Sequence, residues 1–475
     1  MTSSPSVVCA GCGATLVGAA LPFRCPEADG DGRDHVLARV ESPAGSRVLT
    51  EGDPNPFVRY RALSYSWELA RAHRVADDAY AALVRDLDRA VAAVDGHGFQ
   101  VTPYLPSPRV AKLLRLDHRG LWIKDETGNV AGSHKARHLF GLAIHLAVAE
   151  RVGLRGASDA SRPLAIASCG NAALAAAVVA RAAGRPLRVF VPPWAEAFVI
   201  ERLTVLGASI EKCPRREGDP PGDPCHHRFR EAVRAGALPF SVQGTDNGLT
   251  IDGGMTMGFE LAAQSADAPI DRLLIQVGGG ALASSLIQGL DWASKLGALS
   301  RRPAIHAVQA AGGFPLIRAW RRVARALVVE LKGAVVPGGD LATDVDASRA
   351  DATAARWLTA HAGAGAIDHA IATAVRDRAN YMWPWETQPK SLATGILDDE
   401  TYDWVAVVRG MLTTGGWPVV ATESNILEAY CEGRGAGITA SATGTAGLAG
   451  AMTLAEAGLL AAKDRVAVIF TGVDR

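Results

Sequence analysis

From Leu121 onward, apolar runs of four or five residues recur along the chain, each separated from the next by a longer, alanine-rich stretch. Runs of that length, rich in Val, Ile and Leu, read as buried strands, and the stretches between them as helices. The pattern predicts strands at Leu121–Lys124, Leu164–Ala167, Leu187–Val191, Ser209–Lys212, Leu273–Val277, Ile305–Gln309, Pro418–Thr422 and Val466–Phe470. Helices are predicted between most of them, for example His134–Val152 and Asn171–Ala183, with Gly184 suited to a left-handed cap after the second. This alternation marks βαβ units around a parallel sheet, so the fold class is α/β.

Three regions stand outside the alternation. Residues 60–97 carry the Ala, Leu and Arg mixture of one or two helices, and residues 1–50 hold Cys9, Cys12 and Cys25 among glycines. Residues 311–400 interrupt with a Gly/Pro segment at Gly333–Gly339 and an aromatic one at Tyr381–Trp385, and periodicity assigns this insertion no topological place. A chain of 475 residues exceeds what one core supports, which implies two domains plus an appendage.

Composition narrows the function. Lys plus Arg number 49 and Asp plus Glu 49, so no long-range positive field exists to gather phosphate backbones, and nucleic acid is not an expected partner. The uncharged stretches Leu273–Leu290 and Ala436–Ala455 are rich in Gly, Ser and Thr and read as interior turns and helices, not membrane spans. Met1–Val8 has neither the basic nor the apolar region of a secretory signal, which predicts a cytoplasmic protein. The seven cysteines then read as thiols or metal ligands.

Four turns carry candidate chemistry. The stretch from Lys124 to Arg137 is a strand, a turn with Gly128 and Gly132, and Lys135 at a helix start. A partly desolvated lysine there has a lowered pKa and can act as an amine nucleophile. Ser168-Cys169-Gly170-Asn171-Ala172 follows the next strand, and N–H groups at such a helix start bind anions. Val277-Gly278-Gly279-Gly280-Ala281 lacks the Walker lysine and the GxGxxG spacing, yet serves a single terminal phosphate well. Ser441 to Gly450 is a loop of small residues and hydroxyls before another helix. Taken singly, each turn also has an ordinary use as a helix cap or tight connection.

In this order the four turns resemble the fold-type-II pyridoxal-phosphate enzymes, the tryptophan synthase β superfamily, and within it threonine synthases most. The resemblance covers roughly residues 100–475. The family pattern K-x-E-x-x-N-P-T-G-S-F-K-D-R is met in spacing by Lys124, Glu126, Asn129, Gly132, Ser133, Lys135 and Arg137, and Asn247 to Glu260 is similar to N-P-x-x-x-E-G-Q-K-T-x-x-x-E. Val130, Ala131, His134 and Ala136 replace family residues in the first pattern, and Gly254-Met255 replaces Q-K in the second. The resemblance implies that Lys135 holds pyridoxal 5′-phosphate as a Schiff base. It further implies that Asn171 meets the ring hydroxyl, Gly278, Gly279, Gly280 and Ala281 the phosphate, and Thr443, ahead of Thr445, the pyridine nitrogen. Ser133, Ser168, Cys169, Gly170, Asn171, Ala172 and Asn247 are implied around an amino-acid substrate.

The implied architecture is two parallel or mixed-sheet αβα domains with a small ribbon-like leader. Residues 1–50 form the leader, 51–110 a helical lead-in, 111–160 with 251–475 the large cofactor-binding domain, and 161–250 the small domain. The implied activity is elimination or replacement at Cβ or Cγ of an amino acid, as in threonine synthase, with Lys135 as base. The alternatives are an ammonia-lyase, of the serine or threonine dehydratase or diaminopropionate type, and a non-catalytic binding protein that keeps the fold. A homodimer is implied as well. Cys9, Cys12 and Cys25 resemble the zinc ribbon that precedes the catalytic domains of many threonine synthases, but Ala28 stands where a fourth cysteine is usual, and His35 is the nearest suitable replacement.

Overall fold

The computed structural model describes residues 4–28, 31–40, 52–156, 159, 161–220 and 222–475, so part of the leader, residues 41–50 included, lies outside the described residues. Three sheets organise the chain. The leader forms an antiparallel ribbon of β1 (Ser6–Cys9), β2 (Thr15–Val17) and β3 (Leu37–Arg39), in the order β2-β1-β3. The larger sheet contains β4 (Tyr104–Pro106), β5 (Leu121–Asp125), β10 (Arg272–Gln276), β11 (Ala304–Ala310), β12 (Val419–Ala421) and β13 (Val466–Phe470), in the order β12-β11-β10-β13-β5-β4. The smaller sheet contains β6 (Leu164–Ala167), β7 (Leu187–Val191), β8 (Ser209–Lys212) and β9 (Leu238–Pro239), in the order β8-β7-β6-β9.

The strands expected from the apolar runs are all present, with ends moved by at most one residue. Continuous burial explains the clearest of them: all five residues of β13 are buried, as a central strand covered on both faces requires, whereas β8 (Ser209–Lys212) has no buried residue. Every neighbouring pair in the two larger sheets is parallel except β4 with β5. β4 ends in Pro106, which cannot donate to a ladder and so belongs at an edge.

Two cores result. One gathers the larger sheet with helices Thr250–Gln264, Ala281–Lys295 and Ala442–Glu456. The insertion belongs to this core, since helices Pro315–Glu330, Val345–His361 and Ala364–Arg376 bury Trp320, Leu358 and Ile371 in it, and helix Trp404–Thr414, just after it, adds Trp404. A buried pair, Arg321 with Asp351 at 2.7 Å, ties the first two of those helices together. The second core joins the ribbon, helices Tyr65–Ala72 and Asp77–Asp95, the smaller sheet and helix Lys135–Arg151. That last helix, which begins at the candidate lysine, therefore lies where the two cores meet. Among the described residues no helix is long and apolar enough to cross a membrane.

Candidate active site

The matched lysine motif divides into a structural half and an open half. Lys124, Glu126, Arg137 and Glu260 are fully buried. Lys124 Nζ meets Glu260 at 2.5 Å, and Arg137 meets Glu126 at 2.8 Å and Glu260 at 2.6 Å. The Thr102 hydroxyl donates to Glu126 Oε1 at 2.5 Å, and its N–H to Glu260 Oε2 at 3.1 Å. Two cations and two anions thus neutralise one another around Thr102. Burial alone would raise Glu260, but Arg137 and Lys124 outweigh it and hold its carboxyl at about 2. These residues link β5, helix Lys135–Arg151 and helix Thr250–Gln264, and so fix the frame on which Lys135 stands.

The approach to Lys135 is a tight turn. Asp125 Oδ1 accepts the N–H and hydroxyl of Thr127 at 2.8 and 2.6 Å, and Asn129 Oδ1 accepts the Val130 N–H at 2.8 Å. Ala131 and Gly132 both have positive φ, 53° and 68°, and a side chain at Gly132 would collide with Val473. Burial lowers the pKa of the Lys135 amine, with Asp398 and Cys169 pulling it back up. The buried Ser133 hydroxyl has no partner among the described residues.

Three of the predicted turns converge on the end of β13, at Thr471 and Gly472. The Thr471 hydroxyl accepts the His134 N–H at 3.0 Å and lies 2.8 Å from His134 Nδ1, so it is set against the residue before Lys135. Ser441 N–H donates to Gly472 O at 2.8 Å. A Cβ on Gly472 would stand 2.8 Å from Asn171 Nδ2. The glycine turn joins from β10, whose Gln276 amide donates to Gly444 O at 2.9 Å and Ile469 O at 3.1 Å. The site thus lies at the carboxyl ends of parallel strands, where open α/β sheets bind ligands.

The individual candidates are placed as follows. Ser168 Oγ accepts the Gly170 N–H at 3.4 Å, and Asn171 opens helix Asn171–Ala182 with its Oδ1 accepting from Arg475. Cys169 faces Lys135 electrostatically, and Ala172 is buried behind it in the helix. Gly280 has φ +98° and leads into Ala281, the first residue of helix Ala281–Lys295. The Thr443 hydroxyl accepts the Gly395 N–H at 2.9 Å. Asn247 is fully buried and donates to Pro239 O at 2.8 Å, with no hydrogen bond to the turns around Lys135.

Four residues that the sequence reading did not single out also border the site. Thr471 is one; its signal was available, since a hydroxyl and a glycine directly follow an apolar strand. The others are Asp398, from the irregular end of the insertion, and Tyr402 and Asp403, just after it. A side chain on Gly278 would collide with Asp398, one on Gly279 would lie 2.9 Å from the Tyr402 ring, and one on Gly280 would lie 3.1 Å from Asp403 Cβ. Burial raises Asp398 to about 6 against the pull of Lys135, and raises Asp403 to about 7. Asp403 Oδ1 has no partner among the described residues.

Away from this junction, the ribbon brings Cys9, Cys12, Cys25 and His35 together, with their ligand atoms all within 4.8 Å of one another. Cys9 Sγ lies 3.4 Å from His35 Nδ1 and Cys12 Sγ 3.5 Å from Cys25 Sγ. The far ring nitrogen of His35 lies 3.0 Å from Asp31 Oδ1, the arrangement that orients a ligating imidazole.

Against known proteins, the family model for "Pyridoxal-phosphate dependent enzyme" matches residues 95–376, more than half of the chain. The chain belongs to that family. Threonine synthase from Synechocystis sp. is 28% identical over 218 residues, 46% of this chain and 52% of that protein. Threonine synthase from Methanosarcina acetivorans is 24% identical over 235 residues, 48% of this chain and 52% of that protein. The chain thus spans about half the length of these curated relatives. Among solved structures, diaminopropionate ammonia lyase from Escherichia coli superposes with TM-score 0.56 at 14% identity, covering 91% of this chain and 93% of that one. At that identity the likeness is one of fold. It agrees with the α/β, fold-type-II architecture described above.

The residues present fit the family's cofactor. The glycine turn faces an anion, the Asp398 carboxylate, on whose charge the Gly279 N–H acts. A desolvated amine at Lys135, an unpartnered Ser133 hydroxyl beside it and the Asn171 amide complete the donor set.

Proposed function

We propose that this chain is a lyase or synthase of threonine-synthase type, acting by elimination or replacement at Cβ or Cγ of an amino acid. Lys135 carries pyridoxal 5′-phosphate, Gly278 to Ala281 hold its phosphate, and Asn171 meets its ring hydroxyl. Thr443 serves the ring nitrogen. When bound, the cofactor supplies an electron sink for the carbanion formed at Cα. The protein's own residues do the rest. The Ser168–Ala172 turn binds the substrate carboxylate through exposed N–H groups, with Ser133 completing that side. The Lys135 amine, its pKa lowered by burial, takes the Cα proton and returns it.

The observation that carries the reading is the junction at Thr471–Gly472, which joins the lysine, asparagine and Ser441 turns to the strand that feeds the glycine turn. Turnover of O-phosphohomoserine, serine, threonine and diaminopropionate tests it. Activity on the first alone supports the synthase reading, ammonia release from the others replaces it with an ammonia-lyase, and no turnover of any overturns it. A homodimer in the cytoplasm completes the proposal; a monomeric sedimentation profile for active enzyme would contradict the first part, and cell fractionation tests the second.

We further propose that the ribbon holds one structural zinc through Cys9, Cys12, Cys25 and His35. Tetrahedral zinc with sulfur at about 2.3 Å and nitrogen at about 2.0 Å needs ligand atoms roughly 3.5–3.8 Å apart. The Cys9–His35 and Cys12–Cys25 pairs, at 3.4 and 3.5 Å, are close to that spacing. Elemental analysis should find about one zinc per chain, lost on changing Cys9 and Cys12 to Ser. Metal-free protein with a folded leader would refute the site.

A further inference from the structure

The insertion returns to the site through residues 391–403 and lays Asp398 across the glycine turn. The Asp398 carboxylate lies over the glycine turn: its Oδ2 occupies the space a Cβ on Gly278 would need, and the Gly279 N–H pulls on its charge. The neighbouring contacts hold this segment down. Asp403 N–H donates to Gly279 O at 2.9 Å, the Tyr402 ring packs on Gly279, and the Ile396 backbone lies against Gly278. An anion of this chain thus lies against the turn whose N–H groups a phosphate would use.

We propose that Asp398 is a resident competitor for the cofactor's phosphate seat, so that phosphate enters only when this carboxylate swings out or takes up a proton. The inference rests on the reading of Gly278 to Ala281 as that seat. Its physical basis is that two anions cannot share one set of backbone donors in a partly desolvated turn without strong repulsion. The charged and titratable groups facing Asp398 are Lys135 from its helix start, Asp399 on the same segment and the Tyr402 phenol. Lys135 stabilises the carboxylate, Asp399 disfavours it, and burial leaves it protonating at about 6. Competition is therefore strong at pH 8 and weak at pH 5.5. The competitor also acts on Lys135 through its charge, so in the cofactor-free chain one carboxylate lies over the phosphate seat and within the field of the amine that the cofactor engages.

The test is calorimetric titration of the cofactor-free chain with pyridoxine 5′-phosphate, which has no aldehyde and so binds without reacting with Lys135, and with unphosphorylated pyridoxine. Asp398→Asn and Asp398→Ala should each bind the phosphorylated probe about ten-fold tighter than the parent at pH 8. At pH 5.5 the three proteins should converge, and pyridoxine should not distinguish them at either pH. Equal or weaker binding of the phosphorylated probe by both variants at pH 8, with phosphate still preferred by all three proteins, would overturn the competition while leaving the phosphate seat intact. If none of the three prefers the phosphorylated probe, the reading of the glycine turn itself fails, and this inference with it.

Discussion

Two groups of buried charge lie side by side in this molecule and are treated in opposite ways. Around Thr102, Lys124, Glu126, Arg137 and Glu260 balance one another in close ion pairs. Across the same helix start, Lys135, Ser133, Asp398 and Asp403 are desolvated but incompletely paired, with Ser133 Oγ and Asp403 Oδ1 lacking partners among the described residues. Satisfied buried charges hold elements in register, and removing one member leaves another stranded. Unsatisfied ones cost stability and persist where a ligand or reaction uses them. The K-x-E and K-x-R residues of one sequence motif therefore do different work: the outer lysine and the arginine build the frame, and the inner lysine faces the site.

The sharpest way to break this comparison is to remove one cation from each group. Arg137→Met should cost about 3–5 kcal/mol of stability, because it strands Glu126 and Glu260 in the core. Lys135→Ala should change stability by less than about 1 kcal/mol in denaturant titration while cutting turnover by roughly 10³-fold. Equal loss of stability in the two variants would erase the distinction.

The two groups also predict opposite responses to pH. Glu260 titrates at about 2 in the folded chain and near 4.5 ordinarily, so the stability it contributes is present above pH 4.5 and is lost as pH falls toward 2. Asp398 and Asp403 are raised to about 6 and 7, so the folded chain binds their protons more tightly than the unfolded chain does. Their effect is a stability that declines as pH rises from about 4 to 7, by a few kcal/mol in total. Denaturant midpoints across pH 2–8 should show both limbs. The Asp398→Asn, Asp403→Asn double variant should flatten only the upper one, and an unchanged upper limb would contradict the assignment.

The smallest expected effect distinguishes two hydroxyls. Thr443 is proposed to serve the ring nitrogen, yet Thr471 is the hydroxyl set against His134. Thr443→Ala should lower kcat about ten-fold with cofactor affinity kept, because the hydroxyl tunes the ring and the glycine turn supplies most of the anchorage. If Thr471→Ala shows that behaviour and Thr443→Ala does not, the role moves to Thr471.

What was legible in the chain follows the same physics. Strands such as β6 and β13 are apolar throughout because both faces are covered, and their ends were readable to within a residue. β4 and β9 were not, being three and two residues long and each including a proline. The turns around Lys135, Asn171 and Gly278 were visible because glycines and hydroxyls directly follow readable strands. Asp398, Tyr402 and Asp403 were not, because no periodic signal marks an irregular segment more than a hundred residues from the glycines it covers. The ribbon's His35 could be nominated from chemistry alone, ten residues beyond Cys25, and the backbone brings it to the three thiols.

The central claim, that Lys135 carries the cofactor, has a direct measurement. Purified chain is incubated with pyridoxal 5′-phosphate, its visible absorption recorded, borohydride added, and the protein digested for peptide mass analysis. The account predicts a visible band that borohydride abolishes and a phosphopyridoxyl group on the peptide containing Lys135, with neither in Lys135→Ala. A colourless protein after incubation, or a phosphopyridoxyl group on any other lysine, would contradict it.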